Sequence, residues 1–232
     1  MVLHRQVSEV LGVNTPTDNK VSQNNLASHV NNQCLLLIFS TGLVFMEDHS
    51  VLAFRATAGV GVSAYERYVA TGSNDDSPLA RSDLPCGCLT VNGSLPCDRH
   101  YRSRILDDWP SSSIDTVRLT LYENGVQQRF VEFDGSGSNF LNWFTQARVV
   151  NSDWTDISNE TANFFSIAGV NFPDVPAVRR FYINRSFGQN CDDQGWLLVA
   201  EADDVCDYVP PPPYPVIIYS GATTSTGVGM IT

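Results

Sequence analysis

Residues 116 to 134 read TVRLTLYENGVQQRFVEFD, and the way this stretch pairs with itself decides the fold. Val117, Leu119 and Leu121 alternate with Arg118, Thr120 and Tyr122, the period of two that a half-buried strand shows. The turn at Glu123-Asn124-Gly125 has two competing readings. A two-residue Asn-Gly loop of type I′ sets Leu119 opposite Phe130 and Val117 opposite Glu132. A three-residue loop with Gly125 left-handed and a bulge sets Val117 opposite Val131 and brings Phe133 onto the same face. The second is preferred, because register follows the pairing that keeps the apolar side chains together.

Downstream of this hairpin, strands are readable at 147–150, 163–167, 180–184, 195–200 and 216–219. Upstream, Val51 to Ala56 makes a first strand, and Ser63-Ala-Tyr-Glu66 matches a capping box opening a helix of about two turns that ends before Gly72. Tyr65 and Val69 are then expected to share its buried side. A second short helix is read over Arg99 to Trp109, and residues 72–85 as a surface loop. The expectation is an all-β fold, an antiparallel β-sandwich or jelly roll with one or two short helices. Val209 to Pro215, VPPPPYP, must be extended and straps over the surface before the last strand.

With 232 residues, 43% of them hydrophobic, the chain can bury one substantial core and needs no second domain. A net charge of −11 disfavours nucleic acid and anionic lipid surfaces as partners. Residues 1–33 are polar and without periodicity and read as unfolded. Cys34 to Met46 carries no charge, is too short to span a bilayer, and suits the apolar core of a signal peptide. The domain expectation is therefore a disordered, signal-peptide-like leader over 1–46, a single β-sandwich domain over 47–220, and a flexible tail over 221–232. Removing the leader takes Glu9 and Asp18 with Arg5 and Lys20, so the mature charge stays at −11. The product is expected to be extracellular, with no membrane span.

The cysteines and the acceptor sequons Asn92-Gly-Ser, Asn159-Glu-Thr and Asn184-Arg-Ser support that reading and mark three candidate glycosylation sites. Cys191 is paired with Cys206, and Cys97 with either Cys86 or Cys88, as the shortest loops to close. The mature chain then holds an odd cysteine, open to an oligomer link, unless Cys34 is its mate. The competing chemistry is zinc on Cys86, Cys88, Cys97 and His100.

Asp134-Gly-Ser136-Gly-Ser138 has the D-x-S-x-S form of the metal-ion-dependent adhesion site of von Willebrand A domains. The likeness is confined to this strand end; it implies Ca²⁺ or Mg²⁺ held by Asp134, Ser136, Ser138 and Asn139. The rest of the chain lacks that family's alternation of strands and helices, and no other cofactor is expected. No catalytic residue is assigned: His49 and His100 are the only histidines after the leader, and neither G-x-S-x-G nor H-E-x-x-H occurs. Asp192, Asp193, Asp203 and Asp204 are expected to face water. Trp143 and Trp154, with Asn142 and Asp153, form the candidate ligand platform, able to stack on a sugar face and bond its hydroxyls. The expected function is non-enzymatic recognition of an extracellular glycan or matrix protein, with a structural or oligomer-forming matrix protein as the alternative and a secreted hydrolase behind both.

At larger scale, the succession His100-Tyr-Arg-Ser, Phe133-Asp-Gly-Ser-Gly-Ser, Asn142-Trp-Phe, Ser152-Asp-Trp-Thr-Asp, Arg179-Arg-Phe-Tyr-Ile and Gly195-Trp-Leu-Leu-Val resembles a group of uncharacterised secreted single-domain proteins of marine invertebrates, over residues 50–220. That resemblance implies export and carries no activity or site residues with it.

Overall fold

The computed structural model describes residues 1–6, 50–76, 83–89, 97–172, 177–187 and 191–225. One antiparallel sheet holds β1 (Val2–Gln6), β2 (Val51–Arg55), β3 (Tyr101–Arg102), β4 (Thr116–Glu123), β5 (Val126–Asp134) and β6 (Val149–Ser152), in the order β3-β2-β1-β4-β5-β6. The other holds β7 (Phe164–Ser166), β8 (Val170–Phe172), β9 (Ala177–Ser186), β10 (Gln194–Ala200) and β11 (Val216–Tyr219), in the order β11-β10-β9-β7, with β8 also on β9. The described chain fills the first sheet before it enters the second. The expected all-β sandwich is therefore what forms, the two inner faces meeting in one core.

The central hairpin reconciles the two turn readings. Asn124 and Gly125 both have positive φ, 51° and 81°, the type I′ signature, so the preferred three-residue loop is not used. Tyr122 pairs with Gln127 but Leu121 pairs with Arg129, so Gln128 is an extra residue on β5. That bulge sets Leu119 opposite Val131 and Val117 opposite Phe133, keeping the apolar set inward by a route neither reading contained.

Between the sheets, Phe54, Val117, Leu119, Val131 and Phe133 from the first meet Phe181, Ile183, Leu197 and Val199 from the second. Phe54 lies 6.3 Å from Phe181, and Phe133 meets Phe165 edge-on at 6.0 Å, so aromatic pairs bridge the layers. α1 (Ala64–Val69) starts as the capping box predicts, the Ser63 hydroxyl accepting from the Glu66 amide at 3.0 Å. Glu201, just past the end of β10, ties the same end, accepting from Ser63 Oγ at 2.6 Å and the Tyr65 amide at 2.8 Å. The helix face differs from expectation: Ala64 and Tyr68 are fully buried, while Tyr65 and Val69 lie at the core's margin. The second predicted helix is β3 followed by single 3₁₀ turns at Arg104–Leu106 and Trp109–Ser111, although Ile105 and Trp109 do enter the core.

Two expectations about the termini are corrected. Residues 1–33 are not wholly unstructured, because Val2–Gln6 is an interior strand, paired with β2 on one side and β4 on the other. The tail does not begin to fray at 221, because the Thr155 amide donates to Thr223 O at 2.7 Å and the Ser225 amide to Asp156 at 2.8 Å. Backbone groups left unpaired beside the sandwich find partners there. The apolar segment Cys34–Met46 lies outside the described residues.

The second sheet's outer face is also covered. Val209 and Tyr214 of the proline strap pack with Tyr208, Phe164 and Phe172 on Tyr182, Leu198 and Ile218. A bulge in β9 builds this face: Phe181 has a φ of 43°, which places Arg179, Tyr182 and Asn184 together outside and Phe181 and Ile183 inside. β7 and β8 pair on either side of that bulge, and Gly169 between them lies so close to the Arg179 carbonyl that any Cβ would overlap it.

Candidate functional site

The loop that follows β5 gathers Asp134, Ser136, Ser138, Asn139 and Asn142 as the sequence suggests, and ties them into a local hydrogen-bond network. Asp134 accepts from the Ser136 amide at 2.9 Å, which holds its carboxyl below the usual carboxylate range. Ser138 Oγ donates to Gly135 O at 2.6 Å and receives Trp109 Nε1 at 3.2 Å. Asn139 Oδ1 takes the amides of Leu141 and Asn142, and Asn142 Oδ1 takes the amide of Asn139. Arg148 reaches over to donate to the carbonyls of Asp134 and Ser136 at 2.9 and 3.0 Å, a fixed cation beside the oxygens that a metal would need. The D-x-S-x-S stretch forms a hydrogen-bonded turn, and among the described residues no group of three or more His, Cys, Asp or Glu is arranged to hold a metal. Gly135 fills a tight spot against Ile114, where a Cβ would lie 2.8 Å from Cγ2.

The tryptophan platform is overturned. Trp143 and Trp154 are 0% and 1% exposed, so neither can stack on a ligand. Trp143 stands under the Asp134–Asn142 loop, donating Nε1 to Tyr68 Oη at 2.9 Å and meeting Phe133 edge-on at 4.9 Å. Trp154 donates to Ser220 O at 3.0 Å, locking β6 to the C-terminal segment. A large aromatic whose N–H finds a buried acceptor is at home in a core. Asp153 is also structural: it accepts from the Phe130 amide at 3.0 Å, well along β5 from the loop. Of the platform residues only Asn142 is exposed on the loop, beside Leu141 at 51% exposure.

The cysteine region carries disulfides, not zinc. Cys88–Cys97 and Cys191–Cys206 are bonded, and Cys86 is disulfide-bonded too, so no described cysteine is left as a ligand or as a free link to another chain. His100 is equally committed. Its Nδ1 accepts from the Thr57 amide at 3.0 Å, and Nε2–H faces Val62 O at 2.8 Å, which fixes a neutral ring; burial lowers its pKa below 6.5.

Of the sequons, Asn92 lies outside the described residues. Asn159 is exposed on the turn Asp156–Glu160. Asn184 is 0% exposed, its Nδ2 donating to Tyr182 Oη at 2.6 Å, so no glycan fits on its folded side chain.

The feature that sequence reasoning missed sits under the strap. Arg179, 1% exposed at its side chain, donates Nη1 to Asp193 at 2.7 Å and grips Asp204 with Nε and Nη2. Tyr208 and Tyr182 close on Asp193, and the rings of Tyr182, Phe187 and Tyr208 stand 5.5 to 5.8 Å from the guanidinium. Burial opposes the Arg179 charge, but the two carboxylates outweigh it and the net shift is upward; burial first, and then Asp193, push the Tyr208 phenol up. Asp193 and Asp204 thus face an arginine instead of water. The available signal was the Asp pairs flanking Cys191 and Cys206, which the disulfide draws onto β9. A second buried arginine, Arg102, binds Tyr68 O, Asn74 and Asp107, pinning the 70–76 loop to 102–107. Both networks are closed: each charge meets fixed partners, an arrangement suited to rigidity and not to proton transfer with a substrate.

Comparison with protein-family models, with curated proteins and with solved structures yields no match to this chain.

Proposed function

We propose that the chain is an extracellular, non-enzymatic recognition domain whose contact surface is the Asp134–Asn142 loop, and that its partner is a matrix protein or glycan bound through hydrogen bonds and Leu141 instead of through aromatic stacking. The observation that carries this reading is the preorganisation of an exposed loop. Asn139 and Asn142 lock each other, Arg148 braces the carbonyls, Trp109 and Trp143 support it from the core, and Leu141 is left 51% exposed at its tip. Binding to a surface already ordered costs less conformational entropy than ordering it on contact. Loops on rigid sheets are where recognition residues concentrate. The disulfides support an oxidising compartment, and no described helix is long and apolar enough to cross a membrane.

The test is a panel of matrix proteins and glycans probed with wild type, Leu141→Asp and Asn142→Ala. Binding to one class, lost by tenfold or more in Leu141→Asp while the melting temperature holds, supports the reading. Binding that both variants retain moves the surface elsewhere, absence of any binding leaves the structural-protein alternative ahead, and turnover of a glycan or ester would restore an enzyme.

A further inference from the structure

The tip of the central hairpin carries a chemistry that its surroundings leave free to run. We propose that Asn124 is a self-modifying site, converted without an enzyme to aspartate and isoaspartate through a cyclic imide formed with the backbone amide of Gly125. β4 and β5 close at Glu123 opposite Val126, so Asn124 and Gly125 alone make the turn, both with positive φ. Asn124 is exposed, as are Glu123 and Val126 on either side, Val126 to 61%. Among the described residues, neither the Asn124 side chain nor the Gly125 amide has a hydrogen-bond partner. Asn74, Asn139, Asn142, Asn151 and Asn184, by contrast, all hold side-chain hydrogen bonds, and each is followed by a residue with a side chain.

The reaction needs only the chain and water. The Gly125 amide gives its proton to solvent base and its nitrogen attacks Cγ of Asn124; the new N–Cγ bond closes the imide ring as the Cγ–Nδ2 bond breaks and ammonia leaves. Water then opens the ring at either carbonyl. Opening at Cγ leaves aspartate, and opening at the backbone carbonyl leaves isoaspartate, whose main chain runs through Cβ. In sum, water is taken up, ammonia is released, and a neutral amide becomes a carboxylate. Glycine suits this step, because a Cβ on the attacking residue would crowd the nitrogen, and the turn itself calls for glycine at a φ of 81°. The end of a hairpin opens locally at little cost in free energy, so the nitrogen reaches Cγ without unfolding the sheet. Isoaspartate adds a backbone atom to the two-residue loop and shifts the Glu123–Val126 closure, while Leu119 opposite Val131 and Val117 opposite Phe133 stay fixed by the core.

Trypsin isolates the site, because cleavage after Arg118 and Arg129 yields a peptide of residues 119–129 with no internal Arg or Lys. The folded full-length chain and the synthetic peptide 119–129 are held side by side at body temperature in mildly alkaline buffer, and samples drawn over weeks are digested and sequenced by mass spectrometry. The expected result is the mass gain of an amide turned carboxylate, mapped to Asn124. It should accept a methyl group from an isoaspartyl methyltransferase, accelerate as pH rises, vanish in Asn124→Gln, and proceed in the folded chain within tenfold of its rate in the free peptide. Conversion more than tenfold slower in the folded chain overturns the proposal, because the turn would then hold the Gly125 nitrogen away from Cγ. So does a gain that maps to Gln127 or Gln128 and persists in Asn124→Gln.

Discussion

Arg179 grips Asp204 through two parallel hydrogen bonds, Nε to Oδ2 at 2.8 Å and Nη2 to Oδ1 at 3.0 Å, with both side chains at 1% exposure or less. Its remaining Nη1 goes to Asp193, so one guanidinium ties β9 to both ends of the segment closed by Cys191 and Cys206. Arg179→Met leaves two buried carboxylates without a cation and should cost about 3 to 5 kcal/mol. Replacing Arg179, Asp193 and Asp204 together with apolar residues of similar volume should cost much less, because no charge is then stranded. Urea unfolding of the two variants side by side measures the difference.

The Cys191–Cys206 bond holds the same segment covalently across a sequence separation of 15. Converting both cysteines to serine should lower stability by about 3 kcal/mol on the chain-entropy model. Proteolysis should then begin between residues 191 and 215, where the wild type resists, and limited digestion followed by mass mapping reads this directly.

His100 makes stability fall on acidification. Its folded pKa lies below 6.5 because burial disfavours the charged ring, so between that value and 6.5 the unfolded chain binds more protons than the folded one. Stability is therefore complete above pH 6.5 and declines as pH drops toward the folded pKa. The wild-type melting temperature should fall from pH 7 to pH 5, and His100→Gln should flatten that slope while costing about 1 kcal/mol for each lost hydrogen bond at pH 7.

Expression in a secreting cell should attach a glycan at Asn159 and none at Asn184. Asn159→Gln should remove one glycosidase-sensitive mass step. Asn184→Gln should leave the glycan pattern alone but destabilise the fold, because Nδ2 no longer reaches Tyr182.

Elements with a clean local signal could be read from the residues. Val216–Tyr219 is a strand at its expected ends, Ser63 caps its helix, and Cys191 finds Cys206. The hairpin was half legible: the inward set Val117, Leu119, Val131 and Phe133 was correct, but a bulge at Gln128 leaves no local trace. What escaped depends on distant partners. Val2–Gln6 has no run of alternation long enough to announce a strand and is held by ladders to residues more than 45 positions away. Asp193 and Asp204 look solvated until Arg179 is placed between them, and Trp143 and Trp154 looked like a platform until their N–H groups met Tyr68 and Ser220. The D-x-S-x-S stretch shows the opposite case: its hydrogen bonds are made within the loop itself.

The placement of β1 inside the first sheet underlies both the sandwich and the correction to the leader, and hydrogen–deuterium exchange on the full-length chain measures it most directly. If Val2–Gln6 lies between β2 and β4, its amides exchange on the timescale of those of β4, and deleting residues 1–6 speeds exchange in both β2 and β4. Complete exchange of residues 2–6 within seconds, with β2 and β4 equally protected whether or not those residues are present, would contradict it.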